Sequence, residues 1–260
     1  IGERAFQRTG FTSFAWPAAA TAIPNYAFSD ASSLTSITGL EAVTSIGDSA
    51  FDGTGLRSFA WPGGITAIPN YAFMSASSLT SITGLEAVTS IGRHAFSDAS
   101  SLTSITGLEA VTSIGQRAFS GTGLTSFAWP ALATAIPNYV FNGASSLTSI
   151  TGLEAVTSIG NSAFSNTGLT SFAWPTVITA VPNYAFNGAS SLTSITGLEA
   201  VTSIGDSAFS GTGLTSFAWP ALATAIPRYA FIGLSSLTSI TGLEAVTSIG
   251  ERAFDSASSL

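Results

Sequence analysis

Few residues in this chain could do chemistry, and their types exclude most enzyme mechanisms. The chain has one histidine, His94, no cysteine, and seven basic residues that are all arginine. A Ser–His–Asp arrangement can be written from His94, Asp98 and one of the many serines. His94 is better interpreted as an exposed surface residue, because Ser and Arg stand at the equivalent places elsewhere in the chain. The sequence therefore predicts no enzyme, no zinc site and no lysine-bearing phosphate loop.

Glutamate recurs along the chain and supplies a second set of candidate residues. The recurring glutamates are Glu41, Glu86, Glu109, Glu154, Glu199 and Glu244. Glu86 and Glu109 are the closest pair, so we expect them to repel each other or share a cation. Solvated carboxylates are the preferred interpretation, and a weak Ca²⁺ site is the alternative, although Ca²⁺ takes about six to eight oxygens. The candidate ligand-binding residues are Glu86, Glu109, Arg93 and His94, with no cofactor and no metal predicted.

Recurring tryptophans and threonines suggest two further kinds of binding site, one for carbohydrate and one for ice. The five tryptophans could form a carbohydrate-binding stripe, but strand alternation points them inward and favours core packing. They are Trp16, Trp61, Trp129, Trp174 and Trp219. Recurring threonines such as Thr21, Thr44 and Thr66 invite an ice-binding interpretation, which Ala60 weakens because it interrupts the row that Thr38 represents.

These residues are positioned by an internal repeat. Consecutive units begin at Leu34, Leu56 and Leu79, so a unit is 22 or 23 residues long, a period typical of solenoids. One kind, the G unit, carries the segment LTSITGLEAVTSIG and begins at residues 34, 79, 102, 147, 192 and 237. The other kind, the W unit, carries SFAWP and begins at residues 11, 56, 124, 169 and 214. Strict alternation fails once, where residues 79 and 102 open two G units in succession.

Each unit predicts two short strands and one short helical turn. In the unit that begins at Leu34, Ile37 alternates inward between Ser36 and Thr38. A second extended segment follows at residues 43–46, and Asp48 is a good N-cap for one helical turn. A phenylalanine at the eighteenth place of each unit forms a buried ladder that includes Phe28, Phe51, Phe73 and Phe96. The predicted fold is a β-rich solenoid of about eleven units with parallel strands.

The sixth place of the unit is Gly in G units and Trp in W units. Trp61 should therefore lie between Gly39 and Gly84, and a W–G pair should be the packing repeat. Gly84 and Gly107 are adjacent with no Trp between them, which predicts a void, a water site or a change of curvature there. Variation concentrates at places 15, 16, 19 and 20 of the unit, which we expect to be exposed.

With these positions set out, the chain resembles the BspA-like class of leucine-rich-repeat proteins. The pattern L-x-x-I-x-I-P-x-x-V-x-x-I-G-x-x-A-F is matched by Leu34, Ile37, Val43, Ile46, Gly47, Ala50 and Phe51. The resemblance covers essentially the whole chain and implies a right-handed leucine-rich-repeat stack on microbial surfaces, with adhesion or host-interaction roles. The Asn common in other leucine-rich repeats and the Cys of this class are missing, and Gly39-Leu40 replaces Ile-Pro.

Charge and hydropathy argue against nucleic-acid binding and membrane insertion. Net charge is −7 and charged residues are 8% of the chain, so no basic patch exists for nucleic acid. No window offers ~18 uninterrupted apolar residues, so membrane insertion is not predicted.

We predict one solenoid over residues 1–260, expected to be a segment of a longer array without caps. Its predicted function is a non-catalytic scaffold, extracellular or at the cell surface, for adhesion or protein–protein interaction. A structural spacer or self-assembling filament, with self-association through repeat faces or open ends, is the alternative, and an ice-binding solenoid is a remote one.

Overall fold

The computed structural model describes all 260 residues as short strands and turns, with no helix. Ten strands of three residues form one row: β1 (Ser13–Ala15), β3 (Ser36–Thr38), β5 (Ser58–Ala60), β7 (Ser81–Thr83), β10 (Ser126–Ala128), β12 (Ser149–Thr151), β14 (Ser171–Ala173), β16 (Ser194–Thr196), β18 (Ser216–Ala218) and β20 (Ser239–Thr241). Eleven strands of two residues form the other: β2 (Ala22–Ile23), β4 (Ser45–Ile46), β6 (Ala67–Ile68), β8 (Ser90–Ile91), β9 (Ser113–Ile114), β11 (Ala135–Ile136), β13 (Ser158–Ile159), β15 (Ala180–Val181), β17 (Ser203–Ile204), β19 (Ala225–Ile226) and β21 (Ser248–Ile249). We call the face of the longer strands the strand side.

The strands alternate as the sequence pattern predicts. Phe59, in β5, is buried between exposed Ser58 and Ala60. Adjacent units pair in parallel, with Phe59 opposite Ile82. This confirms a parallel-strand solenoid of about ten turns whose central strand residues point into the core.

Strand hydrogen bonds join each W unit to the G unit that follows it. In residues 1–133, β1 pairs with β3 and β5 pairs with β7. In residues 134–260, β14 pairs with β16 and β18 pairs with β20. No pairing joins β3 to β5 or β16 to β18, so the hydrogen-bonded repeat is a W–G pair. The shorter strands follow the same rule, with β8–β9 added where two G units meet.

The predicted helical turn is wrong. The residues at places 16 and 20 of each unit adopt left-handed backbone conformations, as in Ser49 (φ 55°) and Gly53 (φ 64°). The N–H groups at places 16, 18 and 20 consequently point along the stack and donate to carbonyls of the next unit. Phe51 N, for example, lies 3.0 Å from Ala72 O. We call this set of bonds the turn ladder. Some of the N–H groups between them donate within the turn to the carbonyl three residues earlier, as Asp52 N does to Ser49 O at 3.3 Å, so the turn lacks the i→i−4 bonds that an α-helix requires.

Asparagine and aspartate at place 15 reinforce the turn ladder. The side-chain oxygen of Asn25 accepts a hydrogen bond from the backbone N–H of Asp48 at 2.9 Å. Asn70 does the same for Arg93 at 2.9 Å, and Asn183 for Asp206 at 2.8 Å. The chain thus has an Asn that satisfies turn backbone groups, although it stands at another place than in other leucine-rich repeats.

Phenylalanine rings form the core as a stacked column. Phe96 is fully buried, 5.6 Å from the Phe73 ring and 5.6 Å from the Phe119 ring, with interplanar angles of 4° and 2°. Burial of each ring contributes about 1.5–3 kcal/mol. A unit cannot bury its own ring on both faces, so stability depends on neighbouring units.

Exposure of the variable places was predicted only in part. Arg4 and Arg252 at place 16 are exposed, whereas Ser49, Ser162 and Ser207 at the same place are buried. A serine side chain is too short to pass beyond the adjoining turns, whereas an arginine side chain reaches solvent. The residue at place 16 is therefore exposed in some units and buried in others, depending on the length of its side chain.

The Cα positions cluster into two compact units, residues 1–133 and residues 134–260. None of the chain folds into a helix of the length and hydropathy that spanning a membrane requires.

Candidate functional site

The four candidate ligand-binding residues lie in two different parts of the repeat. Glu86 and Glu109 are exposed in the turns that precede β8 and β9. Arg93 and His94 lie on the turn ladder, where both contact Tyr71. The Arg93 guanidinium lies 5.4 Å from the centre of the Tyr71 ring, and the His94 ring stacks on that ring at 5.0 Å. The structure therefore pairs Arg93 with His94 around a tyrosine.

The environment of His94 favours a neutral imidazole. Partial burial lowers the pKa of His94, and the charges of Arg117 and Arg93 lower it further. Asp98 accepts a hydrogen bond from the hydroxyl of Ser97, at 3.0 Å. The hydroxyl donates to the carboxylate and the imidazole packs on Tyr71, an arrangement unlike that of a nucleophilic triad.

The tryptophans are buried, with 2–4% of each residue exposed. The indole N–H of Trp61 donates to the carbonyl of Ile65, four residues later, at 2.9 Å. The same bond recurs in every W unit and closes the turn that follows Trp-Pro. The indole faces are consequently occupied by the core, not open as a carbohydrate platform.

The glycines opposite tryptophan are required by the backbone conformation and by close contact with the tryptophan carbonyl, not by the space that the indole fills. Gly84 has φ +79°, and a Cβ there would lie 2.7 Å from the carbonyl oxygen of Trp61. At the junction of two G units the arrangement is looser, because a Cβ on Gly107 would meet no atom closer than 3.5 Å. Residues 104–106 also form no strand there. The irregular junction thus lacks strand pairing on the strand side.

Open clefts recur where a G unit precedes a W unit. The cleft between residues 195–199 and 218–221 has a volume of about 420 Å³. A second, of about 320 Å³, lies between residues 153–154 and 173–177, and a third, of about 230 Å³, between residues 105–109 and 128–131. We call these the junction clefts. They occupy the gaps that strand pairing leaves open, so they follow from the W–G repeat and not from the missing tryptophan.

Each junction cleft combines three kinds of chemistry. In the cleft of residues 195–221, Leu198, Trp219 and Pro220 form an apolar floor that neighbouring residues almost wholly cover, and Glu199 supplies an exposed carboxylate. The edge of β16 that faces β18 makes no strand hydrogen bonds, so its backbone groups are open to a ligand or to water. The cleft can therefore hold an apolar group that carries a hydrogen-bond donor or a positive charge.

Val177 is an exposed apolar residue that lines a junction cleft, and Leu132 and Leu222 directly follow the residues that line two others. Leu132, Val177 and Leu222 are 57%, 64% and 56% exposed, and all stand at the ninth place of a W unit. Ala19 and Gly64 occupy that place in the other W units. Sequence reasoning missed these residues, although alignment of the W units alone shows that the ninth place varies.

The sequence as a whole matches one family model. The model of the BspA-type leucine-rich repeat region matches residues 1–123, 66–192, 112–238 and 157–260, which together span the chain. The chain belongs to the BspA-type leucine-rich-repeat family. Leucine-rich-repeat proteins are generally non-enzymatic, and their fold generally mediates protein–protein interaction. The BspA-type chain is therefore a repeat scaffold, as its periodicity predicts.

Solved structures of several bacterial proteins show the same fold. The chain is similar to a leucine-rich repeat protein from Bacteroides ovatus, with 27% identity and a TM-score of 0.71 over 100% of this chain and 80% of that one. A leucine rich cell surface protein from Faecalibacterium prausnitzii is 24% identical, with a TM-score of 0.51 over 97% and 82%. The pneumococcal vaccine antigen PcpA is 18% identical, with a TM-score of 0.60 over 92% and 67%. The latter two show the fold alone. A comparison with curated proteins gives no match.

Proposed function

We propose that this chain is a non-catalytic scaffold, extracellular or at the cell surface, that binds a protein partner through its junction clefts and thereby supports adhesion. The observation that carries the proposal is the recurrence of open clefts with exposed apolar rims on an otherwise uniform array. Within residues 134–260, exposed Val177 lines one cleft, and exposed Leu222 directly follows the residues that line another. Exposed apolar side chains grouped beside a cleft are typical of interaction surfaces.

Two further observations support the location and the role. The Faecalibacterium prausnitzii relative is a cell surface protein by its description, and BspA-like relatives are surface proteins. The chain carries no cysteine, one methionine and few charges. Such a chain depends on packed repeats rather than disulfides, and repeated pockets on it allow many weak contacts to act together.

A binding assay with rim variants tests this function. Immobilised extracellular proteins should bind the chain saturably, and Val177→Glu with Leu222→Glu should weaken that binding at least about tenfold, because charge would replace apolar contact. A matched control is Ser145→Glu with Ser190→Glu, two exposed serines in turns away from the clefts. Equal binding by both double variants would contradict a role for the clefts. Labelling of intact cells with an antibody against the chain tests the surface location.

A filament or spacer is the second candidate, favoured by the unpaired strand edges between W–G pairs. Open edges with few charges promote association between copies of a chain, here through repeat faces or the ends of the array. Electron microscopy separates the two functions: ordered fibres of the purified chain support the structural role, and monodisperse monomers support the adhesive one.

A further inference from the structure

The two successive G units bring basic residues together on neighbouring turns. In the regular part of the array, the place-16 residue of a G unit lies between two tyrosines, as Ser49 does between Tyr26 and Tyr71. Where residues 79 and 102 open two G units in succession, His94 and Arg117 stand at place 16 of adjacent units, and His94 N donates to Gln116 O at 3.0 Å. We call the residues at places 15 and 16 of these two units the basic turn patch: Arg93, His94, Gln116 and Arg117.

The basic turn patch differs in charge from the equivalent turns of the chain. Seven segments have the pattern Ile-Gly-x-x-Ala-Phe, and four of the five outside the patch carry an acidic residue at place 15. These acidic residues are Glu3, Asp48, Asp206 and Glu251. Burial lowers the pKa of His94, and the charges of Arg117 and Arg93 lower it further, so the three groups lie close together. On a chain with a net charge of −7, these two turns therefore form a local positive surface.

A tyrosine orders two members of the patch before any ligand binds. The Arg93 guanidinium lies 5.4 Å from the centre of the Tyr71 ring, and the His94 ring stacks on it at 5.0 Å. Arg93 is nevertheless exposed and forms no ion pair in the structure. Side chains that are already ordered lose less conformational entropy on binding, and Tyr and Arg are enriched among the residues that dominate protein interfaces. The planar guanidinium binds a carboxylate through two parallel N–H···O bonds.

Carboxylates border the patch and restrict the length of an anionic ligand. Asp48 lies two units before Arg93 at the same place, and its two oxygens accept bonds from Asn70, at 3.0 Å from the backbone N–H and 3.3 Å from the side-chain amide. Asp98 lies at the other end of the turn of Arg93, where the charge of Asp98 opposes the effect of the arginines on the pKa of His94. A long polyanion would extend past the patch onto these carboxylates, which would repel it. A single acidic side chain would place its charge at the patch alone.

We propose that the basic turn patch binds one or two Asp or Glu side chains of a partner protein. Arg93 and Arg117, on adjacent turns, donate to the carboxylate oxygens, and Gln116 and His94 offer further N–H donors beside them. The patch lies on the turn ladder, and none of the junction clefts is lined by its residues. This inference therefore goes beyond the proposed function and does not depend on binding at the clefts.

Short peptides test the proposal on the whole chain. The probe is Gly-Glu-Glu-Gly-Glu-Glu-Gly with a zwitterionic rhodamine label, and its control has Gln in place of every Glu. Fluorescence anisotropy at low ionic strength should show saturable binding of the glutamate peptide, at least about tenfold tighter than that of the glutamine peptide. Arg93→Gln with Arg117→Gln should weaken binding of the glutamate peptide at least about tenfold.

A matched variant controls for net charge. Arg4→Gln with Arg57→Gln removes the same charge from two exposed residues outside the patch and should leave the binding unchanged. Arg4 is a close control, because its guanidinium also lies over a tyrosine ring, Tyr26, at 4.8 Å, but has Glu3 beside it. Circular dichroism verifies that each variant is folded, and the single variants Arg93→Gln and Arg117→Gln provide the same comparison if the double variant unfolds.

Four outcomes overturn the inference. The first is no saturable binding of the glutamate peptide, and the second is equal binding of the glutamine peptide. The third is an equal effect of the patch variants and the control variant, which indicates net charge alone. The fourth is tighter binding of dextran sulfate than of the glutamate peptide through Arg93 and Arg117, since the patch would then be a site for a sulfated polyanion.

Discussion

Alanine substitution at two glycines of the sixth place separates backbone conformation from close packing. Gly84 and Gly107 begin from nearly the same left-handed conformation, with φ +79° and +77°. They differ in what lies opposite them. A Cβ on Gly84 would be 2.7 Å from the Trp61 carbonyl oxygen, whereas a Cβ on Gly107 would meet nothing closer than 3.5 Å. The pair therefore shares one cost of substitution and differs in the other.

The expected magnitudes follow from these contacts. Alanine in a left-handed conformation costs about 1 kcal/mol relative to glycine, and this applies to both sites. At Gly84 the overlap also forces the strand or the Trp61 carbonyl to move, and overpacking of this kind costs about 1–3 kcal/mol. We expect Gly107→Ala to lower the free energy of unfolding by about 1 kcal/mol and Gly84→Ala to lower it by about 2–4 kcal/mol.

Urea unfolding followed by tryptophan fluorescence and by circular dichroism measures the difference. The urea midpoint should fall more for Gly84→Ala, with the slope of the transition unchanged if only the folded state is affected. Equal losses at the two sites would refute the steric reasoning and leave the left-handed conformation as the sole reason for glycine.

Three further outcomes are expected from the same unfolding assay. Burial and the charge of Asp30 raise the pKa of Asp52 to about 6. Between about pH 4 and pH 6 the folded chain therefore retains a proton that the unfolded chain releases, so the free energy of unfolding falls as the pH rises through this range. Asp52→Asn should consequently stabilise the chain by about 1 kcal/mol at pH 7.5, a value reduced because Asp52 is partly exposed, and by less at pH 4. A larger gain at pH 4 than at pH 7.5 would contradict a raised pKa for Asp52. Phe96→Ala removes a fully stacked core ring and should cost about 3–5 kcal/mol, so a loss below about 1 kcal/mol would contradict the column of rings. Trp61→Phe should cost about 1–3 kcal/mol, because it leaves the buried Ile65 carbonyl without its donor, and an unchanged midpoint would argue against that bond.

The sequence alone predicts the stack and its core but not the backbone of the turns. Periodicity places Phe96 and Ile82 inward because residue spacing and strand parity depend only on side-chain type. Left-handed conformations at Tyr26 and Tyr71 have no such signal, since a tyrosine seldom adopts them outside a structure that imposes them. The predicted helical turn failed for this reason.

The sequence predicts the residues of the candidate site but not their arrangement around the clefts. The glutamates and tryptophans were visible as repeated residues, but their junction at the clefts depends on which units pair through hydrogen bonds. That choice depends on backbone geometry, which residue types alone do not reveal. The rim residue Val177 was visible as a variant at the ninth place, yet its meaning needs the cleft beside it.

The turn ladder has a consequence for how such a gene can change. It accepts either kind of unit as the next neighbour: Ser49 N bonds to Asn70 O, Tyr71 N to Arg93 O, and His94 N to Gln116 O where two G units meet. Addition or deletion of whole units therefore leaves the donors of the turn ladder with acceptors, whichever kind of unit comes next. The number of units, and with it the number of clefts, can therefore change without refolding of the rest of the molecule.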